Sequence, residues 1–226
     1  EQHDLEKLKT FAGTYAQLDF PTSTQSLTKV QMDPQYGTVS YVNIKALSHA
    51  VDVEIPKNRN TVLGSKDYAR CVACVITWTN GDRRYLWLAH SFPPWNNARD
   101  QYIRRKIDAL KKDSSVKEIK VVLHTSSLTL GSAQLDTIAG EIGLPNKNVA
   151  IDIKQDSGAV IHSNVIATAE GVAITYPKGE LPDTIIRWDE VGPSQASTYK
   201  PEPSSMTAPV ADGGNKTGYW SSRRNM

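Results

Sequence analysis

The chain has 226 residues, 39% of them hydrophobic and 22% charged, which is typical of a folded globular protein. Its formal net charge is +2, and the segment after Glu190 carries all of it, so the remaining body is neutral. A neutral body argues against nucleic acid as a partner, because phosphate binding requires a basic surface. No apolar run reaches membrane-spanning length, so we expect no membrane partner. The sequence assigns no compartment to the protein.

Residues 1–30 predict an N-terminal helix and a linker. Asp4 can cap the helix, and residues 21–26 form a Pro-, Ser- and Thr-rich loop. A strand pattern begins at Thr38, and residues 50–55 alternate between apolar and polar side chains. The apolar residues at helical spacing are Leu5, Leu8, Phe11, Ala12, Tyr15 and Leu18.

The clearest pattern lies in residues 61–90, where two apolar runs flank Asn80-Gly81-Asp82. Asn-Gly between such runs is a strong hairpin signal, because both residues tolerate a positive φ. Cys71 at the start of the first strand and His90 at the end of the second lie at similar distances from the turn, which predicts that they are approximate cross-strand neighbours. A thiol beside an imidazole is the minimal unit of cysteine nucleophilic catalysis.

Beyond the hairpin, residues 91–97 predict a loop because of their two prolines. Asn97 can cap a helix that runs to Lys112, and a second helix is predicted over residues 132–142. Strands are predicted over residues 117–123, 149–153, 160–166 and 171–176. The pattern of short strands with two helices after the hairpin therefore predicts the α+β fold class. We expect a catalytic domain over residues 31–190 and a disordered tail over residues 191–226.

Cys71 and Cys74 form a Cys-x-x-Cys pair, which in other contexts is a redox or metal motif. No second cysteine pair exists to complete a zinc site, and positions i and i+3 of a strand point to opposite faces. We therefore expect a buried Cys74 and an accessible Cys71. His124 and His162 are rival bases with weaker placement. Thr61, Ser65 and Asp67 all precede Cys71, and the residue pattern does not choose which of them orients the histidine.

Three segments carry a family resemblance: residues 61–65 (TVLGS), residues 71–76 (CVACVI) and residues 88–93 (LAHSFP). Together they resemble the signature of the CheD chemoreceptor glutamine deamidases, whose scaffold is similar to that of the cytotoxic necrotizing factor toxins. The resemblance covers roughly residues 38–180 and implies a CheD-like fold of layered, mostly antiparallel, sandwich-like sheets with helices packed on the outside. It also implies Cys71 as the nucleophile, His90 as the base and Thr61 as the third residue. By the same likeness, the protein is a monomeric toxin or effector acting on a protein that presents an exposed glutamine.

The sequence departs from that signature in two places. Residues 66–70 (KDYAR) separate Gly-Ser from the cysteine, where the family joins them directly. Ala159 stands in place of the second glycine of an Asp-x-Gly-Gly segment, here residues 156–159. The insertion bears on the role of Thr61 and on the position of the oxyanion hole, for which we expect backbone N–H groups between Gly64 and Cys71.

The expected chemistry is hydrolysis of a glutamine side-chain amide through a thioester, with no metal or organic cofactor. Two alternatives stay open. A cysteine protease or transglutaminase would use the same pair of residues with a different acyl donor or acceptor. A member of the fold without enzymatic activity would bind a partner protein instead.

Overall fold

A computed structural model describes residues 2–21, 26–50, 52–55, 60–92, 101–126, 140, 143–144, 148–153, 161–177 and 181–191. Two α-helices longer than one turn lie in these ranges, α1 (Gln2–Gln17) and α2 (Tyr102–Lys112), with a short 3-10 helix at Trp188–Glu190. The strands are β1 (Leu27–Asp33), β2 (Gly37–Asn43), β3 (Ser48–His49), β4 (Val53–Glu54), β5 (Asn60–Tyr68), β6 (Val72–Asn80), β7 (Arg83–Ser91), β8 (Val116–Thr125), β9 (Val149–Ile153), β10 (Ser163–Ala167), β11 (Gly171–Thr175) and β12 (Thr184–Arg187).

The strands form two six-stranded sheets. The first sheet has the order β1-β2-β5-β10-β11-β12, and the second has the order β3-β7-β6-β8-β9, with β4 also paired to β7. All pairings are antiparallel except β2 with β5 and β8 with β9. The architecture is therefore α+β, with two layered and mostly antiparallel sheets, as the sequence predicted.

Each sheet carries a helix on its outer side. Helix α1 buries Leu8, Phe11, Ala12 and Tyr15 against the first sheet, where they form a core of their own. Helix α2 buries three aliphatic residues in the larger core, and the Lys106 ammonium lies over the indole rings on the outer face of the second sheet. The larger core fills the space between the two sheets and continues through the second sheet to the face that α2 covers.

Several predicted elements are confirmed. The hairpin is β6 and β7, the strand at 149–153 is β9, and the predicted strands at 117–123, 160–166 and 171–176 overlap β8, β10 and β11. Asp4 lies inside the first turn of α1 and does not precede the helix, so the prediction that it is the cap was wrong. There its carboxylate faces the positive end of the helix dipole.

Strand β1 begins at Leu27, so its first four residues lie in the segment 1–30 that was predicted to be a helix and a linker. It lies at the edge of the first sheet, where Val30 and Met32 are exposed. The strand therefore lacks the alternation of buried apolar and exposed polar residues that marks a half-buried strand in a sequence. Asn97, the predicted helix at 132–142, the segment 156–159 and the tail beyond Val191 lie outside the described residues.

Candidate functional site

The candidate site is built on a row of side chains that crosses the second sheet. Ala73 of β6 pairs directly with His90 of β7 on one side and with His124 of β8 on the other. His124 pairs in turn with Asp152 of β9. Directly paired residues point to the same face of a sheet, and this face is turned towards the first sheet. Ala73 has a short side chain, which leaves space between the two imidazoles.

The first sheet fills that space from β5. The register between β5 and β10 shifts between Ser65 and Tyr68, where β5 contains one extra residue, and Asp67 has a φ of 65°. In a regular strand, residues three apart point to opposite faces, but a β-bulge brings them to the same face. Ser65 and Tyr68 therefore both point at the second sheet. Part of the inserted segment 66–70 thus shapes the site.

His90 is fully buried between these two residues. Its Nδ1 lies 2.8 Å from the Ser65 hydroxyl, which donates a hydrogen bond of 2.6 Å to the carbonyl of Ile44. Because the single hydroxyl proton is used in that bond, Nδ1 must carry a proton and donate it to Ser65. The Nε2 lone pair is then free, and Nε2 is buried without a hydrogen-bond partner among the described residues.

The His90 ring is also stacked on a tyrosine. The Tyr68 ring lies parallel to it at a centroid distance of 3.8 Å, and the Tyr68 hydroxyl donates to the carbonyl of Ala89. Burial lowers the pKa of His90 from 6.5 to about 3. The imidazole is therefore neutral at physiological pH, with one nitrogen held by Ser65 and the other able to accept a proton.

His124 has a different environment at the other end of the row. Its Nδ1 lies 2.8 Å from Asp152 Oδ2, and its Nε2 lies 2.8 Å from Ser163 Oγ. The Ser163 hydroxyl also donates to the carbonyl of Tyr68 at 3.2 Å. Both ring nitrogens of His124 are therefore engaged, one by the Asp152 carboxylate and one by the Ser163 hydroxyl. All three side chains are buried.

The two cysteines differ as the sequence predicted. Cys74 is fully buried, and burial raises the pKa of its thiol far above the ordinary value, so it is a core residue. Cys71 immediately precedes β6 and is partly exposed. Its side chain packs against the larger core. Burial raises the pKa of Tyr68, whose ring is stacked on His90, and the charge of a Cys71 thiolate would raise it further.

Cys71 is not directly opposite His90. The hairpin closes with Asn80 paired to Arg83, so the turn is Gly81-Asp82, one position later than expected, and His90 faces Ala73. Cys71 lies two residues before Ala73, at a position diagonal to His90 and to His124. Diagonal neighbours on one face lie about 7 Å apart. The prediction that Cys71 and His90 pair directly was therefore wrong, and the two residues are diagonal neighbours. Because Cys71 is two residues from Ala73, the partner of His90, a regular strand places both side chains on the same face.

The other predicted residues lie at separate places along β5. Thr61 is half-buried opposite Ser40, roughly 13 Å along the strand from Ser65 at about 3.3 Å per residue, and Ser65 is the residue bonded to His90. A Cβ on Gly64 would lie 2.4 Å from the Tyr15 ring, so Gly64 permits the close approach of α1. The Asp67 carboxylate is exposed and lies 4.0 Å from His162 Nδ1, away from His90.

Sequence reasoning did not assign roles to Tyr68, Ser126, Asp152 or Ser163. A signal was present, since His124 and Asp152 each end or nearly end a short apolar strand, as His90 does. Their convergence depends on the registers of β8 with β6 and of β9 with β8, which no local pattern specifies.

In comparisons with known proteins, no family model matches the chain, and no curated protein matches it significantly. Among the described residues, no helix has the length and apolar character needed to cross a membrane. Within the same ranges, no group of three or more His, Cys, Asp or Glu residues is arranged to hold a metal ion.

Proposed function

We propose that the protein is a cysteine-dependent hydrolase that deamidates a glutamine side chain of a partner protein. Cys71 is the nucleophile, His90 is the base, and Ser65 orients the imidazole. The observation that carries the proposal is that the buried Nε2 of His90 has no hydrogen-bond partner among the described residues, on a sheet where the partly exposed Cys71 is a diagonal neighbour. An unsatisfied buried acceptor is costly to fold, and such atoms in native proteins are often functional.

The charge state of His90 determines how the thiol is activated. Because its pKa is lowered to about 3 by burial, a resting thiolate–imidazolium pair is not favoured. The thiol proton moves to Nε2 as sulfur attacks the amide carbon, and the carbonyl oxygen becomes an oxyanion. Ser65 stays hydrogen-bonded to Nδ1 throughout. This bond fixes the tautomer with the proton on Nδ1, so the Nε2 lone pair remains able to accept the thiol proton.

The remaining steps return the enzyme to its starting state. Imidazolium gives its proton to the amide nitrogen, the C–N bond breaks, and ammonia leaves a thioester on Cys71. Neutral His90 then takes a proton from water, which attacks the thioester carbon. The C–S bond breaks, the proton passes to sulfur, and glutamate is released. The net reaction consumes one water and forms one ammonia, so no external oxidant or reductant is needed.

The direct test uses a blocked synthetic peptide with one internal glutamine and, as a protein probe, casein. We expect the parent protein to release ammonia and to convert glutamine to glutamate, which mass spectrometry detects as the exchange of NH2 for OH. Cys71→Ser should abolish the reaction, whereas Cys74→Ser, which changes a core residue, should retain it if the variant is folded.

The products separate this activity from its alternatives. Cleavage of the peptide backbone would indicate a protease, and amine incorporation at glutamine would indicate a transglutaminase. Equal, background-level signals for the parent and Cys71→Ser on both probes would contradict the proposal and favour a binding function.

A further inference from the structure

The segment that carries Cys71 is held by hydroxyl groups from neighbouring strands. The carbonyl of Tyr68 accepts hydrogen bonds from Ser126 at 2.5 Å and from Ser163 at 3.2 Å. The Ser126 hydroxyl is also 3.0 Å from the carbonyl of Ala69. The carbonyl of Cys71 itself accepts a bond of 3.1 Å from Thr125. Three of the four carbonyls from residue 68 to residue 71 are therefore bound by side chains.

These contacts fix the peptide planes on both sides of the nucleophile. A trans peptide is planar, with its C=O and N–H antiparallel, so binding a carbonyl also sets the direction of the next N–H. The Arg70–Cys71 peptide, whose N–H belongs to Cys71, lies between two peptides held in this way. Backbone N–H groups beside a nucleophile are the usual donors to an oxyanion, and their direction controls the rate.

The Ser163 hydroxyl is itself held by the buried His124–Asp152 pair. Ser163 is fixed by His124 Nε2, and His124 is fixed by Asp152. We propose that the buried Asp152–His124–Ser163 chain, together with Ser126, positions the backbone of residues 68–71 so that N–H groups beside Cys71 bind the oxyanion. These four are positioning residues and do not touch substrate. The inference rests on Cys71 being a nucleophile, as in the proposed function.

Asp152, His124 and Ser163 have the connectivity of a Ser-His-Asp triad, but the serine is unsuited to attack. Ser163 is fully buried, and its hydroxyl donates to the Tyr68 carbonyl, so neither the oxygen nor its proton is presented to a substrate. The same connectivity therefore serves structure at this position.

Two reagents distinguish positioning from general folding effects. p-Nitrophenyl acetate acylates a thiol through a tetrahedral oxyanion, whereas iodoacetamide alkylates it by direct displacement of iodide without forming one. We expect Ser163→Ala and Ser126→Ala to slow acylation of Cys71 by about tenfold or more, since small misplacements of catalytic groups cost up to about a hundredfold. Alkylation of Cys71 should stay within about twofold of the parent.

Ser91→Ala is the matched control. Ser91 is also a buried serine, but its hydroxyl has no hydrogen-bond partner among the described residues. We expect this variant to change neither rate. Cys71→Ser in each background assigns the modified thiol, and thermal unfolding of each variant identifies loss of fold.

Each outcome decides the inference. Unchanged acylation in both variants, or an equal fall in acylation and alkylation, would overturn it, as would a parent Cys71 that reacts with neither reagent. If the selective fall appears but glutamine is not deamidated, the positioning role stands and the proposed substrate is wrong. If deamidation occurs without the selective fall, the proposed function stands and the positioning role is wrong.

Discussion

The two histidines that flank Ala73 occupy equivalent places on one sheet but differ in their hydrogen bonds. His124 uses both ring nitrogens, one to Asp152 and one to Ser163. His90 uses one, to Ser65, and its Nε2 has no hydrogen-bond partner in the part of the chain that the structure describes. Both rings are fully buried and both contact Tyr68, so burial alone does not separate them.

This difference distinguishes a structural from a functional buried histidine. A fully satisfied ring has no lone pair left to accept a proton and contributes to stability through its bonds. A ring with an open, buried nitrogen costs stability and retains a basic site. We therefore assign a stabilising role to His124 and proton transfer to His90.

The largest effect on stability is expected at His124. Replacement by Phe keeps the ring shape but removes the hydrogen bonds of His124 to the buried Asp152 carboxylate and to Ser163, which costs on the order of 3 kcal/mol of unfolding free energy. The equivalent His90→Phe loses one hydrogen bond and removes an unpartnered nitrogen, so it should cost less than about 1 kcal/mol. Denaturant unfolding of both variants measures the difference, and equal losses would contradict the comparison.

The next effect is a pH dependence that belongs to His90. Its pKa is lowered from 6.5 to about 3 in the folded protein by burial, so the unfolded chain binds the proton first as the pH falls. Stability should be complete above about pH 6.5 and should be lost progressively towards about pH 3. The loss is a few kcal/mol, because one pKa unit is worth about 1.4 kcal/mol.

The control for this pH dependence is His90→Phe. Other groups titrate over the same range in both proteins, so the difference between the parent and the variant isolates His90. Urea unfolding at pH 7 and pH 4 is sufficient. A loss of the same size in the parent and in His90→Phe would show that His90 is not the group responsible.

Local patterns in the sequence were sufficient for the hairpin and for the fates of the two cysteines. The two apolar runs on either side of Asn80-Gly81-Asp82 located β6 and β7, although the turn lies one position later than predicted, and Cys74 lies among branched aliphatic residues. The pattern could not place Ser65 against His90, because that contact depends on the packing of one sheet on the other. The β-bulge at Asp67 was also hidden, since one extra residue in a strand changes the facing of Tyr68 without a distinct local signature.

The surroundings of His90 on β5 can be tested at Gly64, which was a candidate for the oxyanion site. Gly64→Ala places a Cβ 2.4 Å from the Tyr15 ring, so we expect it to cost about 1–3 kcal/mol through overpacking. Gly13→Ala is the matched control: a Cβ on Gly13, within α1, would have no described atom within 4 Å, so this variant should gain up to about 1 kcal/mol. Thermal unfolding measures both, and a neutral Gly64→Ala would contradict the packing role.

The smallest effect is expected at the bulge. Asp67 adopts a φ of 65°, which glycine adopts without steric cost, so Asp67→Gly should keep stability within about 1 kcal/mol and retain acylation of Cys71. Asp67→Val should cost more, because a β-branched residue is strained at positive φ. If Asp67→Gly abolished acylation, the exposed carboxylate would have a role in the site that its position does not support.

The central claim is that His90 removes the proton from Cys71, and the most direct measurement is the rate at which p-nitrophenyl acetate acylates Cys71 in His90→Phe. We predict a fall on the order of 10² to 10⁴ relative to the parent at neutral pH, the usual contribution of general acid–base catalysis. His162→Ala, which changes an exposed histidine, should leave the rate unchanged. A rate for folded His90→Phe within about twofold of the parent would contradict the claim.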